Sequence, residues 1–529
     1  MFKTKIADAE CYYFRQFCTR TENLFEKSEK YNVCRKANKL RLTAIAESLY
    51  GINAMMNLGV KQMIKSISIK GLRGFGEEKT IKFSSPNGES GSGITIFVGS
   101  NNTGKTTIIE ALRCFNSTRD NPPSFSERKR NIKCENGMIH LKLLTDNDTY
   151  TIDTVSSGGS STVFKKNNLK NDDWWEGPKI FSLQSRRFVD YEFDKSFMER
   201  NDYIRNQQMN YRNRSASISE FNCRLFKMQD NKNEFDKLLK RVLGYNLEWT
   251  IEQNDGGRFF LKVTINGCIH SSEGLGDGIW SVFTICDSLY DSKPGDTIAI
   301  DEPELSLHPS YQKKILCLFN EYSKDRQILI STHSPYLIDF KSIINGASLY
   351  RTVKDSDGNL QINLLSQDSS KELKGFLQNI NQPHTLGLEA KEIFFLEDNI
   401  ILTEGQEDVI MYKKASEELE IDLSGTFFGW GSGGASNIQK IAAILRDLGY
   451  KKVVAVFDGD KSADKDDFSE KFPMFKSFII TQPDIRDKKA VHRDGKSGMM
   501  TENGKLKEEN SQEMRSLFQD INEFFSVKA

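Results

Sequence analysis

The chain has 529 residues, of which 38% are hydrophobic and 28% are charged. This length exceeds what one ordinary hydrophobic core accommodates and predicts two to four domains. The 73 basic and 73 acidic residues balance, so the net charge does not indicate nucleic-acid binding, although a local basic surface would be sufficient for it.

Cysteine usage and hydropathy indicate a cytoplasmic protein. The nine cysteines show neither a CxxC pair nor zinc-ligand spacing, which is typical of free thiols in a reducing compartment. The sequence has no run of about 20 apolar residues that would span a membrane. The N-terminal residues are charged throughout and lack the apolar segment of a secretory signal.

The pattern of the sequence changes after residue 62. Helical apolar spacing at 39–58 carries no visible chemistry, so residues 1–62 are predicted to be a mostly helical extension of unknown function. The isoleucines at 64–69 predict a strand, and Lys79–Phe83 predicts its hairpin partner. A first domain is predicted from residue 63 to residue 390.

The first functional motif is Gly-x-x-x-x-Gly-Lys-Thr at Gly99–Thr106, between a predicted strand at Ile94–Val98 and a predicted helix at Thr106–Phe115. Strand, loop and helix in this order are the context of a phosphate-binding loop. We expect backbone amides and Lys105 to bind the phosphates of ATP, and the Thr106 hydroxyl to bind Mg²⁺. The predicted ATP contacts are Gly99, Asn101, Asn102, Gly104, Lys105, Thr106 and Thr107.

Residues from about 167 to 260 are polar and rich in asparagine and arginine. They predict a mostly helical insertion or dimerisation arm outside the central sheet. Arginines cluster at 186–214, with Tyr203 and Tyr211 among them. A solvated helix or a dimer contact explains this cluster at least as well as nucleic-acid binding does.

Polar residues follow two short apolar strands, predicted at Thr297–Ile300 and Gln327–Ser331. Asp301 is placed to hold Mg²⁺, and Glu302 to polarise an attacking water as a general base. His333 is placed to contact the γ-phosphate. The predicted cofactor site includes Asp301 and, from a second anion-binding turn before an apolar helix, Ser272 and Gly274.

The order of these motifs resembles that of ABC-type ATPases of the SMC/RecF kind. In that family ATP lies between two heads, which implies that Ser272 and Gly274 reach the ATP held by Lys105 of a partner chain. The resemblance also implies a homodimer or higher homo-oligomer, with Leu305–Pro309 at the interface. Gln184 is the candidate for the glutamine loop of the family.

A second domain is predicted from 391 to 529, after a hairpin whose turn is at Asp355–Asn359. Its predicted strands end in carboxylates, which are the ligands that Mg²⁺ prefers. If the Asp458–Asp460 segment is extended, alternate side chains point the same way and both aspartates share one metal. The carboxylates of this site are Glu404, Asp408, Asp458 and Asp460.

The Glu-Gly and Asp-x-Asp pair resembles the Toprim fold of topoisomerases, primases and related nucleases. The resemblance implies that Glu404 is an acid/base or a metal ligand. It also implies that Asp458 and Asp460 are metal ligands, and that Asp408 is an additional ligand. The glycine-rich segment Gly431–Gly434 is either a simple turn or a phosphate contact beside the site.

An ABC head followed by a Toprim domain resembles the OLD (overcoming lysogenization defect) family of ATP-dependent nucleases. The family's further acidic residue and lysine match Asp484 and Lys488, although no Glu-x-Glu motif is present. The resemblance implies an ATP- and Mg²⁺- or Mn²⁺-dependent endonuclease in bacterial anti-phage defence, with DNA expected before RNA and a partner protein in some members.

Two other interpretations remain open. In the first, the chain is an SMC/RecF-like ATPase that acts as a sensor or binds DNA, and its Toprim domain recruits a partner. In the second, it is an abortive toxin that cleaves RNA or tRNA. A topoisomerase or primase is disfavoured, because the sequence contains neither a strand-passage domain nor a zinc-binding primase module.

Overall fold

The computed structural model describes residues 63–116, 123–134, 137–155, 162–167, 180–185, 192–193, 221–265, 267–355, 358–378, 391, 398–488 and 495–527. Contacts divide the chain into 1–61 and 62–529, and every described residue belongs to the second unit. The predicted helical extension and the arginine cluster at 186–214 lie outside the described residues. No helix in the described ranges is long and apolar enough to cross a lipid bilayer.

The strands, in chain order, are β1 (Ile64–Lys70), β2 (Lys79–Lys82), β3 (Ile94–Val98), β4 (His140–Thr145), β5 (Thr149–Thr154), β6 (Thr162–Lys166), β7 (Ile180–Leu183), β8 (Glu192–Phe193), β9 (Glu248–Gln253), β10 (Phe259–Ile265), β11 (Cys268–Ser271), β12 (Thr297–Asp301), β13 (Gln327–Ser331), β14 (Ser348–Lys354), β15 (Leu360–Leu364), β16 (Ile400–Leu402), β17 (Thr426–Phe427), β18 (Val453–Phe457), β19 (Lys476–Ile479), β20 (Asp484–Arg486) and β21 (Gly498–Met500).

The α-helices are α1 (Lys105–Cys114), α2 (Phe221–Met228), α3 (Asn233–Leu243), α4 (Asp277–Asp291), α5 (Pro309–Tyr322), α6 (Phe340–Ile344), α7 (Gln367–Gln378), α8 (Gln406–Glu418), α9 (Ala435–Asp447), α10 (Ser462–Lys471) and α11 (Ser511–Ser526). The structure confirms the predicted strands at Ile94–Val98 and Gln327–Ser331 to the residue.

The first domain is built on a six-stranded sheet in the order β15-β14-β3-β13-β12-β7. Its strands pair in parallel except β15, which forms the predicted hairpin with β14. Every residue of β3, β12 and β13 is buried, as both faces of a parallel sheet are covered. The loops that carry chemistry therefore leave the carboxyl ends of neighbouring strands on one edge.

A second sheet, in the order β2-β1-β4-β5-β6, is antiparallel throughout. The isoleucines of β1 share a buried cluster with the apolar face of α1 and with residues of the central sheet. The phosphate-loop helix is thereby held between the two sheets.

The described part of the predicted helical insertion contains helices and also strands, and one of these strands lies in the central sheet rather than outside it. The strand β7 is the edge of the central sheet, with Leu183 opposite Ile300 of β12. The strand β10 pairs with β8, β9 and β11. The described α-helices of this region are α2 and α3. In β9, Trp249 and Ile251 alternate with polar residues, a two-residue period that the surrounding polar sequence obscures.

The second domain has a four-stranded parallel sheet in the order β17-β16-β18-β19. One apolar core runs from the central sheet of the first domain into this sheet and its helix α9. Arg351 of β14 is 3% exposed and lies over the ring of Tyr450, with its guanidinium carbon 3.6 Å from the ring centroid. The two domains are thus packed against each other.

Candidate nucleotide and metal sites

A cavity of about 530 Å³ opens at the carboxyl edge of the central sheet. This volume is in the range of small-molecule sites. The fold brings together most of the predicted ATP residues with side chains from distant parts of the chain. The lining residues are Arg73, Gly74, Asn101, Asn102, Thr103, Gly104, Lys105, Thr106, Thr107, Glu302, His333 and Lys354.

The phosphate loop needs its glycines because other strands approach it closely. Gly99 has a φ of 139°, and a Cβ there would lie 2.2 Å from the carbonyl oxygen of Thr352. Gly104 has a φ of 88° and immediately precedes α1. The backbone amides at the start of α1 therefore face the cavity, as phosphate binding requires.

The Lys105 ammonium is folded onto the loop. Its Nζ donates to the carbonyl oxygens of Gly99 at 2.9 Å and Ser100 at 2.8 Å. Burial lowers the pKa of Lys105 to about 8, and the nearby carboxylates of Glu302 and Asp301 only partly oppose this shift. A polyphosphate in the cavity would compensate this buried charge.

Thr106 and Asp301 meet at the predicted Mg²⁺ position. The Thr106 hydroxyl donates to Asp301 Oδ1 at 3.1 Å, and the Ser331 hydroxyl donates to the same oxygen. Asp301 and Ser331 are paired in the register of β12 and β13. A hydroxyl and a carboxylate oxygen are donors that fit Mg²⁺ with a nucleotide.

Glu302 and His333 line the cavity from the loops after β12 and β13. Glu302 has a φ of 47°, a strained conformation for a residue other than glycine, and its amide donates to the Ser331 carbonyl at 2.8 Å. Burial, followed by the charge of Lys105, lowers the pKa of His333. His333 is therefore held towards its neutral form.

Three residues of this site were missed by the sequence analysis. Arg73 and Lys354 line the cavity, and Arg73 forms an ion pair with Glu110 at 3.0 Å. The buried Glu304 accepts a hydrogen bond of 2.6 Å from the His333 amide. The acidic repeat Glu302-Pro303-Glu304 was a signal for Glu304, whereas nothing local marked Lys354.

The predicted second anion-binding turn is a short 3-10 helix at Ser272–Gly274. Neither end of it is among the described residues that line the cavity. The start of α4 instead packs on the predicted interface loop, because a Cβ at Gly278 would lie 2.7 Å from the Ser306 carbonyl oxygen. Gln184 directly follows β7, beside Asp301 at the sheet edge.

The predicted carboxylates of the second domain come from neighbouring strand ends. Glu404 follows β16 and Asp458 follows β18, and these strands are parallel neighbours. The Asp458 amide donates to Glu404 Oε1 at 3.3 Å. Asp408, in the first turn of α8, accepts from the Gly405 amide at 2.8 Å.

The glycine-rich segment Gly431–Gly434 lies directly beside this site. The Gly434 amide donates to the Glu404 carbonyl at 2.7 Å. A Cβ at Gly431 would lie 2.4 Å from the carbonyl carbon of Gly405. This close approach explains why a glycine is required there.

The inner carboxylates repel one another in a poorly solvated space. Burial, then the charges of Asp408 and Glu404, raise the pKa of Asp458 to about 9. Burial likewise raises the pKa of Asp408 to about 7 and the pKa of Glu404. A divalent cation with oxygen preference fits this set, because it would offset the charge that burial disfavours.

The expectation that the Asp458–Asp460 segment is extended is wrong. Residues 459–460 form a turn, and the Lys461 amide donates to the Asp458 carbonyl at 2.9 Å. Asp460 pairs with Lys496 at 2.5 Å. Burial would raise the pKa of Asp460, but the hydrogen bond to Lys496 and the lysine charges lower it.

Asp484 is buried in β20 and accepts a hydrogen bond of 2.5 Å from Lys488. Lys488 also contacts Glu407, which the sequence analysis missed, at 3.3 Å. Within the described ranges no three acidic, histidine or cysteine side chains converge as a ready-made metal site. The predicted carboxylates are neighbours, but bonds to lysines and backbone amides hold several of their oxygens.

Two family models match separate parts of the chain. Residues 164–339 match the family described as "AAA domain, putative AbiEii toxin, Type IV TA system". Residues 395–460 match the family described as "Overcoming lysogenization defect protein-like, TOPRIM domain".

Two relatives are similar over parts of the chain. The Septu protein PtuA of Bacillus thuringiensis is 24% identical over 314 residues, which cover 53% of this chain and 74% of PtuA. An OLD nuclease of Thermus scotoductus is 29% identical over 182 residues, which cover 32% of this chain and 33% of that protein.

Among solved structures, an Smc head domain with an extended coiled coil from Pyrococcus furiosus aligns with a TM-score of 0.43 and 11% identity, covering 60% of this chain and 100% of that one. The first match includes Asp301, Glu302 and His333 but not the phosphate loop, and the second includes Glu404, Asp408, Asp458 and Asp460. One chain thus carries a match to an AAA ATPase domain followed by a match to an OLD-like Toprim domain.

Proposed function

We propose that the chain binds and hydrolyses ATP and that its Toprim site uses a divalent cation to cleave nucleic acid. We propose DNA, rather than RNA, as the substrate. The observation that carries this proposal is the presence of two separate sites on one packed body. One is the phosphate-loop cavity and the other is the cluster of buried carboxylates. The OLD nuclease relative supports the nuclease assignment.

In the first site, Lys105 and the amides at the start of α1 bind phosphates, and Thr106 with Asp301 holds Mg²⁺. Glu302, at the cavity wall, orients and deprotonates the attacking water. His333, held towards its neutral form, is available to donate to the γ-phosphate or to orient the water.

In the second site, Glu404, Asp408, Asp458 and Asp484 would hold Mg²⁺ or Mn²⁺, with Asp460 at the rim. A bound cation supplies Lewis-acid stabilisation of a phosphodiester undergoing displacement. Of the chain's own groups, Glu404 accepts or donates the proton of the reacting oxygen, and Lys488 neutralises charge beside Asp484.

We further propose a homodimer or higher oligomer engaged through ATP. Ser272 and Gly274 are not part of the described lining of their own chain's cavity, which leaves them for the ATP of a partner. The match to a family described by a toxin–antitoxin system and the Septu and OLD relatives support a role in bacterial anti-phage defence. We propose that this role is carried out in the cytoplasm and with a partner protein.

The test is incubation of the purified protein with plasmid DNA or total RNA, with Mg²⁺ or Mn²⁺, and with or without ATP. We expect Asp458→Asn to abolish cleavage and Glu302→Gln to slow ATP hydrolysis roughly 100-fold or more while ATP still binds. Cleavage that survives in Asp458→Asn would refute the Toprim assignment. Cleavage of RNA alone would support the toxin interpretation.

A binding or sensor ATPase is the second candidate. The observation that favours it is the engagement of Asp460 and Asp484 by lysines, as in a site that is not in use. Under this alternative the wild-type protein hydrolyses ATP but cleaves neither substrate with either cation.

A further inference from the structure

Two lysines hold the outer carboxylates of the Toprim site. Lys488 Nζ donates to Asp484 Oδ2 at 2.5 Å, and Lys496 Nζ donates to Asp460 Oδ2 at 2.5 Å. Lys496 Nζ also lies 4.0 Å from Asp484 Oδ2. Asp484 is therefore shared by two ammonium groups.

The backbone sets these lysines opposite each other. The Lys488 amide donates to the Lys496 carbonyl at 2.9 Å, and the Lys496 amide donates back at 3.1 Å. Such a reciprocal antiparallel pair places both side chains on one side of the two segments. We name Lys488 and Lys496 the lysine clasp.

The exposure of the lysine clasp allows a cation to displace it from the carboxylates. The Asp484 side chain is 3% exposed, whereas those of Lys488 and Lys496 are 42% and 40% exposed. Water reaches the ammonium groups and screens each ion pair, so a competing cation can displace the lysines. A divalent cation and a lysine compete for the same carboxylate oxygens, because the cation is coordinated by them and the ammonium group donates hydrogen bonds to them.

We propose that the lysine clasp closes the acidic site in the metal-free protein, that a divalent cation displaces it, and that the released Lys496 then contacts a phosphate of the nucleic acid. This inference rests on the proposed Toprim function. It assigns Lys496, which no motif marks, as a positioning residue for the substrate.

Mn²⁺ binding to the full-length protein, measured by calorimetry without nucleic acid, tests the competition. Toprim binding is defined as the binding that is lost in Asp458→Asn. Lys496→Met should tighten it roughly three- to ten-fold, because a competing cation is removed. Lys496→Arg should retain the wild-type affinity. Lys451→Met is the matched control, because Lys451 is exposed and precedes β18 at the far end of the sheet.

Unchanged or weaker Mn²⁺ binding by a folded Lys496→Met protein would overturn the clasp. If the wild type itself shows no binding that depends on Asp458, the proposed metal site fails instead, so the two failures are distinguishable. Circular dichroism of each variant establishes that it is folded.

Binding of a short DNA duplex by the Mn²⁺-loaded protein tests the phosphate contact. Lys496→Met should weaken binding and reduce the slope of log affinity against log salt by about one, as loss of one phosphate contact does. An equal slope in Lys496→Met and the wild type would exclude this contact.

Discussion

At the scale of single residues, partial burial and one charged neighbour determine how a side chain titrates. His140 Nδ1 lies 2.5 Å from Asp153 Oδ1 on adjacent strands. This hydrogen bond, opposed by partial burial, raises the pKa of His140. The stability that it provides is present below the unfolded pKa of about 6.5 and is lost as pH rises through the raised folded value.

We therefore expect His140→Gln to lower the free energy of unfolding by about 0.5 kcal/mol at pH 5.5 and to have little effect at pH 8.5. The value is small because both side chains are about one-third exposed. Urea denaturation at the two pH values measures the difference. An equal loss at both would show that packing, rather than charge, dominates.

At the scale of elements, the loop between β17 and α9 must approach Glu404-Gly405 closely. Gly431 has a φ of 88°, and a Cβ there would overlap the Gly405 backbone. We expect Gly431→Ala to lower stability by roughly 2–4 kcal/mol and to weaken Mn²⁺ binding, because both strain and displacement of Glu404 contribute.

Gly88→Ala is the control for that prediction. Gly88 has a φ of 92°, but nothing lies within 4 Å of a Cβ built there. The Gly88→Ala variant should lose only about 1 kcal/mol of unfolding free energy, from backbone strain, and should keep the wild-type metal affinity. Equal losses in thermal denaturation for the two variants would contradict the importance of the close approach.

The strand β14 contacts both the phosphate loop and the Toprim domain. Thr352 shares a hydrogen bond of 2.7 Å with Thr103 of the phosphate loop, and the adjacent Arg351 packs on Tyr450 of the Toprim domain. A double-mutant cycle with Arg351→Met and Tyr450→Leu should give a coupling energy of about 1–2 kcal/mol in urea denaturation. A coupling near zero would mean that the ring contact contributes nothing to the domain junction.

At the scale of the whole molecule, ATP should change the oligomeric state. Glu302→Gln with ATP should elute as a larger species in size-exclusion chromatography with light scattering, because bound nucleotide would join two heads without being hydrolysed. Adding Gly274→Arg should prevent this change while leaving ATP binding by Lys105 intact. Assembly that persists in the double variant would place the interface elsewhere.

The chemistry at the strand ends could be predicted from short stretches of sequence. Four buried strand residues followed by Asp301, or five followed by Asp458, form a local pattern, as does the glycine-lysine loop before α1. Such patterns can be recognised in a single sequence, because strand period and turn chemistry depend on neighbours in the chain. The parallel sheets, the phosphate-loop and strand-end residues of the cavity, and the inner carboxylates were predictable for this reason.

Contacts between residues far apart in the chain could not be predicted in this way and are seen only in the folded structure. It placed β7 on the central sheet, Arg73 and Lys354 at the cavity, and Lys496 on Asp460. In the sequence, Arg73, Lys354 and Lys496 resemble ordinary surface cations. Only strand register and packing bring them to a site. The turn at 459–460 follows from the same cause, because the loop beside Gly459 leaves a Cβ there only 2.5 Å from the Gln482 carbonyl oxygen.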